Sequence, residues 1–123
     1  MRAGDLLLDD DTALEVARAA VGLEVLRVQI LRTLSMRDAG MSSDAATSID
    51  KLLLTWVEQD LAHTVLDALG AAALVPGAGG GPSQLATGAW RDYLWSRAAS
   101  IYGGTEQVQR TIVATRLLDL PRG

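Results

Sequence analysis

Two groups of residues in this chain have types and spacings that could do chemistry. The first is Tyr102-Gly103-Gly104-Thr105, followed by Glu106 and Gln107. Paired glycines let a backbone approach a ligand closely. A threonine after them is a good helix cap. The helix it opens presents free N–H groups and a partial positive charge, which suit a phosphate or another anion. The same residues also read as a plain helix–helix turn with a capping threonine, and residue types alone leave both readings open. The second group is Asp60, His63 and Asp67, which share a helical face with Trp56. An imidazole beside carboxylates can be an acid–base unit or part of a metal site. His63 is the only histidine, and the pattern matches no standard metal motif. It therefore reads as a solvated stripe or an interhelical hydrogen bond, and no metal is expected. The absence of cysteine excludes disulfides, zinc–thiolate sites, iron–sulfur clusters and a cysteine nucleophile. No Gly-x-Ser-x-Gly elbow is present, which removes the Ser-His-Asp hydrolase reading.

Helices must position these residues. The chain has 123 residues, enough for one domain with a small core. Ala, Leu, Arg and Glu, all strong helix formers, dominate the sequence. No strand-like alternation bounded by turn residues is present. A first helix is expected to start near Asp11 or Thr12, with Asp9, Asp10 and Asp11 at its positive end. Its apolar positions are Leu14, Ala17, Val21, Val25 and Val28, widened by Leu26, Ile30, Leu31 and Leu34, and it should stop at Gly40. A start signal at Met41-Ser42-Ser43-Asp44 opens a second helix running to about Ala73, with Gly70 late in it. Residues 75–89 read as a flexible Gly/Pro loop. A third helix is expected over Trp90–Ser100, with Trp90, Tyr93, Leu94 and Ala98 on one side. A fourth should be capped by Thr105 and end before Pro121. The fold class is thus all-α: an up-and-down bundle of about four helices, two of them long and antiparallel. Residues 11–118 form the domain, between tails at 1–10 and 119–123.

Charge and composition narrow the partners. Apolar residues are 49% and charged residues 21%, a globular balance. A net charge of −4 with no basic run argues against nucleic acid. The N-terminal run of Leu6, Leu7 and Leu8 meets three aspartates at once. That is neither a signal peptide nor a membrane span, so a cytoplasmic location is expected. Trp56, Trp90 and Trp95 read as core or interface residues. With so broad an apolar stripe on the first helix, a surface that another chain or domain covers is expected.

The stretch RAASIYGGTEQVQRTIVATRLLDLPR, residues 97–122, resembles the C-terminal signature of flavin-dependent acyl-CoA dehydrogenases. That pattern is an Ile-Tyr-(Glu or Gly)-Gly-Thr step, a helix opening on a Gln-containing turn and Arg, an apolar helix and a Leu-Pro-Arg-like ending. Upstream, Ser48-Ile49-Asp50-Lys51-Leu52 resembles a Ser-x-x-Lys-Leu step on the family's long helix. The likeness covers nearly the whole chain from about residue 12, but only the last of the family's three domains, with no match to that domain's first helix. It implies FAD as cofactor, with Gly103, Gly104, Thr105 and Gln107 at contact positions and Tyr102 near flavin and acyl chain. It further implies an acyl-CoA substrate, α,β-dehydrogenation, and a homo-oligomer or a hetero-oligomer with another acyl-CoA dehydrogenase subunit. Two positions depart from the pattern. Many members carry their catalytic Glu where this chain has Gly103, which cannot act as a base. No catalytic residue is assigned, because Glu106 reads as a dipole-compatible surface residue. The family's Gln-x-x-Gly-Gly step is here Asp67-Ala68-Leu69-Gly70-Ala71, and a carboxylate at 67 repels a pyrophosphate. The chain alone is expected to be inactive; the competing reading is a non-catalytic helical module or remnant that binds a partner subunit.

Overall fold

A computed structural model describes residues 9–41, 45–74 and 82–121. Its four α-helices are α1 (Asp10–Asp38), α2 (Ala46–Leu69), α3 (Pro82–Ala98) and α4 (Glu106–Ile112). A 3₁₀ turn, Gly70–Leu74, follows α2, and a π-helical turn, Val113–Leu117, follows α4. The fold is an all-α bundle, as the helix-forming composition requires.

Local chemistry sets most helix ends. The Asp9 carboxylate caps α1 by accepting from the Thr12 N–H at 2.7 Å, and that bond holds its pKa below the usual carboxylate value. Asp10 and Asp11 follow in the first turn, where negative charge is favoured. At the other end Gly40 takes φ +69°, the left-handed conformation that stops a helix cheaply. The Ser42-Ser43-Asp44 part of the expected second start signal lies outside the described residues. Gly70, at φ +51°, ends α2 earlier than Ala73, and the chain continues as the 3₁₀ turn.

α3 corrects the expected loop. It begins at Pro82, so residues 82–89 are helical and only 75–81 lie outside the described residues. A proline in the first turn costs a helix nothing, because its missing N–H would have no partner there. The buried line of α3 is Ala86, Ala89, Ser96 and Ala99 just beyond its end, while Leu94 and Trp95 face solvent. Leu94 therefore does not share a packed face with Trp90, Tyr93 and Ala98, which are half-buried.

α2 is the central member. α1 packs on α2 and on no other described element, while α3 and α4 also pack on α2 but not on each other. α1 and α2 are antiparallel, because Gly22 lies against Val57 whereas Gln29 and Thr33 reach back to Asp50. The α1 residues in that contact are Ala19, Gly22, Leu26 and Thr33. Small residues let two helix backbones approach closely. Of the broad apolar stripe on this helix Leu26 is buried, while much of the rest is exposed: Val21 is 63% and Val28 57% accessible. With a single neighbour, α1 can bury only one narrow line, and the small residues occupy it. Polar groups in the contact are paired. The Asp50 carboxylate accepts from Gln29 Nε2 at 2.9 Å and Thr33 Oγ1 at 3.0 Å. Among the described residues no buried side-chain nitrogen or oxygen lacks a partner.

Candidate functional site

The connection from α3 to α4 is built from both sides. α3 closes with the N–H groups of Ile101 and Tyr102 donating to Ala98 O at 2.9 and 3.0 Å. Gly103 and Gly104 then adopt φ +67° and +98°. An L-residue pays for such angles in steric strain, so glycine is required here. Thr105 caps α4, its hydroxyl accepting from the Val108 N–H at 3.3 Å. Ser100 O accepts the Glu106 N–H at 3.1 Å. Part of the free donor set expected at this helix start is therefore spent within the chain. The N–H groups of Gly103 and Gln107 make no hydrogen bond within the chain.

Neighbouring helices brace this turn. From α2, Lys51 donates to Ala99 O and its ammonium lies 4.5 Å from the centre of the Tyr102 ring. Tyr102 donates its phenol proton to Glu58 Oε2 at 3.4 Å, and Trp95 lies 6.4 Å away, ring to ring. From α4, Gln109 Nε2 donates to Gly103 O at 2.8 Å. The Tyr102 phenol is pushed above the usual tyrosine value, by partial burial first and then by the charge and hydrogen bond of Glu58. The fold thus prefers the protonated phenol. Its contribution is complete below the ordinary tyrosine range and is lost as pH rises through the elevated folded value. Glu58→Gln is expected to bring that phenol back towards the ordinary value, read as an earlier tyrosinate absorbance in an alkaline titration. An unchanged titration would separate Glu58 from Tyr102.

The other candidate residues take no part in bracing this turn. Gln107 is exposed on the first turn of α4. Glu106 is ion-paired with Arg110 on its own helix, which agrees with a surface role. His63 Nε2 meets Asp67 Oδ2 at 3.1 Å, with both side chains more than 60% accessible, and its ring edge faces Tyr93. That is the solvated stripe, not an interhelical hydrogen bond, and Asp60 instead borders a groove beside Trp56. No described cluster of histidines and carboxylates could hold a metal ion. Asp67 lies sixteen residues beyond Lys51 on α2, about 24 Å at 1.5 Å per residue. One copy of the chain therefore does not bring the Asp67–Gly70 step to the Tyr102–Thr105 turn. Sequence reasoning gave no part in the site to Glu58 or Gln109, and it quoted Lys51 only as part of a motif. The one available signal for Gln109 was its spacing after Thr105.

The helical module presents a braced glycine turn at one end, with no carboxylate at the turn's first glycine. The profile of the acyl-CoA dehydrogenase C-terminal domain matches residues 2–118, and the chain belongs to that family. Relatives include acyl-CoA dehydrogenase IpdE1 of Mycolicibacterium smegmatis, 34% identical over 105 residues, which covers 82% of this chain and 23% of that protein. Acyl-CoA dehydrogenase IpdE1 of Mycobacterium tuberculosis is 32% identical over 107 residues, covering 87% of this chain and 26% of that protein. The chain thus spans about a quarter of the length of the curated relatives it matches. No solved structure matches it. No helix among the described residues is long and apolar enough to cross a membrane.

Proposed function

We propose that this chain supplies the C-terminal helical part of an FAD-dependent acyl-CoA dehydrogenase. It works as a homo-oligomer or with another acyl-CoA dehydrogenase subunit, in the cytoplasm. The reading rests on the Tyr102–Thr105 turn, in which Tyr102 and Gly103 are exposed while three side chains from two helices hold its shape. The donor set fits the cofactor: the unbonded N–H groups of Gly103 and Gln107 suit phosphate or flavin acceptor atoms, and a Cβ at Gly103 or Gly104 would sit at a strained positive φ. In this reading Gly103, Gly104, Thr105 and Gln107 contact FAD, and Tyr102 borders flavin and acyl chain. FAD, when bound, accepts the hydride from the β-carbon of the acyl-CoA. The α-proton needs a base that Gly103 cannot provide. Glu58 is engaged with Tyr102 and Glu106 with Arg110, so the base belongs to the remainder of such an enzyme.

The purified 123-residue chain is accordingly expected to show no acyl-CoA-dependent dye reduction; turnover by the chain alone would overturn the need for other parts. The decisive test is a visible absorption spectrum of the protein tagged in its own cells and purified natively. A flavin spectrum that is lost with Thr105→Ala supports the reading. A colourless native complex would favour the second reading, a non-catalytic module that binds a partner subunit. One observation speaks for that alternative: the exposed aliphatic face of α1, with Leu14, Val21, Val25 and Val28 uncovered.

A further inference from the structure

We propose that Lys51 is the positioning residue for the Tyr102–Thr105 turn, and that it sets the turn's shape through charge rather than bulk. The inference rests on the flavin reading only for what the turn serves, not for the positioning itself.

One half-buried side chain on α2 touches the α3–α4 connection at three successive places. Its ammonium donates to Ala99 O, the carbonyl just beyond the last residue of α3. The same ammonium lies over the face of the Tyr102 ring at 4.5 Å. Its ε-carbon is 3.5 Å from the position a Cβ on Gly103 would take. The Thr55 hydroxyl completes the arrangement. It accepts from Lys51 at 3.0 Å and lies 3.2 Å from Ala99 O.

Lysine suits this place for physical reasons. The last carbonyls of a helix carry partial negative charge, and a cation there is stabilising. The ring face of tyrosine is also electronegative, so one compact cation can satisfy both. Fixing Ala99 O and the Tyr102 ring fixes both ends of the short run that leads into Gly103. Gln109 then holds Gly103 O from the opposite side. The peptide groups of Gly103 and Gly104 are gripped between α2 and α4, although α3 and α4 do not pack on each other. Lys51 thereby does what a direct α3–α4 contact would otherwise do.

The test compares Lys51→Met, which keeps most of the stem and removes the charge, with Lys51→Arg, which keeps the charge. In amide correlation spectra of the 123-residue chain, Lys51→Met is expected to move the Tyr102, Gly103, Gly104 and Thr105 signals. The α1 signals of Ala19 and Leu26 should stay in place, and Lys51→Arg should recover much of the original pattern. In the natively purified protein, Lys51→Met should weaken flavin retention roughly tenfold, the effect of losing one charge-assisted contact, without a matching fall in melting temperature. A folded Lys51→Met with unmoved turn signals would overturn the proposal. So would Lys51→Arg disturbing the turn as much as Lys51→Met. Moved turn signals in a protein whose wild type holds no flavin would support the positioning and remove only the flavin reading. Should Lys51→Met fail to fold, Tyr102→Leu tests the ring contact alone. Displaced Lys51 ε-methylene signals in that variant support the proposal, and unmoved ones refute it.

Discussion

Leu26→Ala is expected to weaken the docking of α1 on α2 by about 3 kcal/mol, within the usual range for a buried leucine. Leu26 is 8% accessible and is the one large apolar side chain that α1 buries. Its neighbours in the contact line are Ala19, Gly22 and Thr33, too small to collapse into the space a truncation would leave. Domains of this size are stable by only about 5–15 kcal/mol, so the loss is a large share. Hydrogen exchange at the α1 amides reads it directly. The informative control is Val28→Ala. Val28 is as aliphatic as any core residue but stands exposed, and its truncation in the isolated chain should stay within about 0.5 kcal/mol. Equal losses at both positions would mean that α1 docks through a different face.

Gly104→Ala is expected to have the second large effect, confined to the turn. At φ +98° an alanine incurs strain of order 1–3 kcal/mol. The added Cβ would also lie 2.6 Å from Gln109 Nε2, so that amide must move and release Gly103 O. The turn should therefore change shape rather than the domain unfold. Loss of flavin from the natively purified protein, with helix content kept, is the expected readout. Gly103→Ala should be milder. Its φ of +67° falls in the left-handed region, and its Cβ would meet Lys51 Cε at an ordinary 3.5 Å. A Gly104→Ala protein that retains flavin at the wild-type level would show that this turn does not touch the cofactor.

Three helix ends were legible, because their signals are local. Asp9 with two further aspartates, Gly40, and Thr105 after two glycines each act within one turn of where they stand. The start of α3 was hidden by composition. The glycines and prolines of residues 75–89 suggest a loop throughout, whereas the alanines at 86 and 89 are the ones that bury. The line on which α1 packs was hidden for a related reason. Periodic valines and leucines signal a helix correctly, but they do not say how many neighbours it has. With α2 alone beside it, the smaller residues took the contact. At the candidate site, the connection carrying Tyr102, Gly103, Gly104 and Thr105 was visible from residue types. The contacts that shape it were not, because Lys51 and Ala99 are 48 positions apart and no local pattern links them.

The arrangement of every helix around α2 has a consequence for cooperativity. α1 is held by one interface, and nothing in α3 or α4 depends on it directly. Its departure is a sub-global opening in which the rest of the chain can stay closed. The protein should then behave as two exchange units: one formed by α1, the other by α2 with the turn-bearing end. A single melting temperature for this chain is an average over both. A partner that covers the outer face of α1 would fuse the two units into one transition.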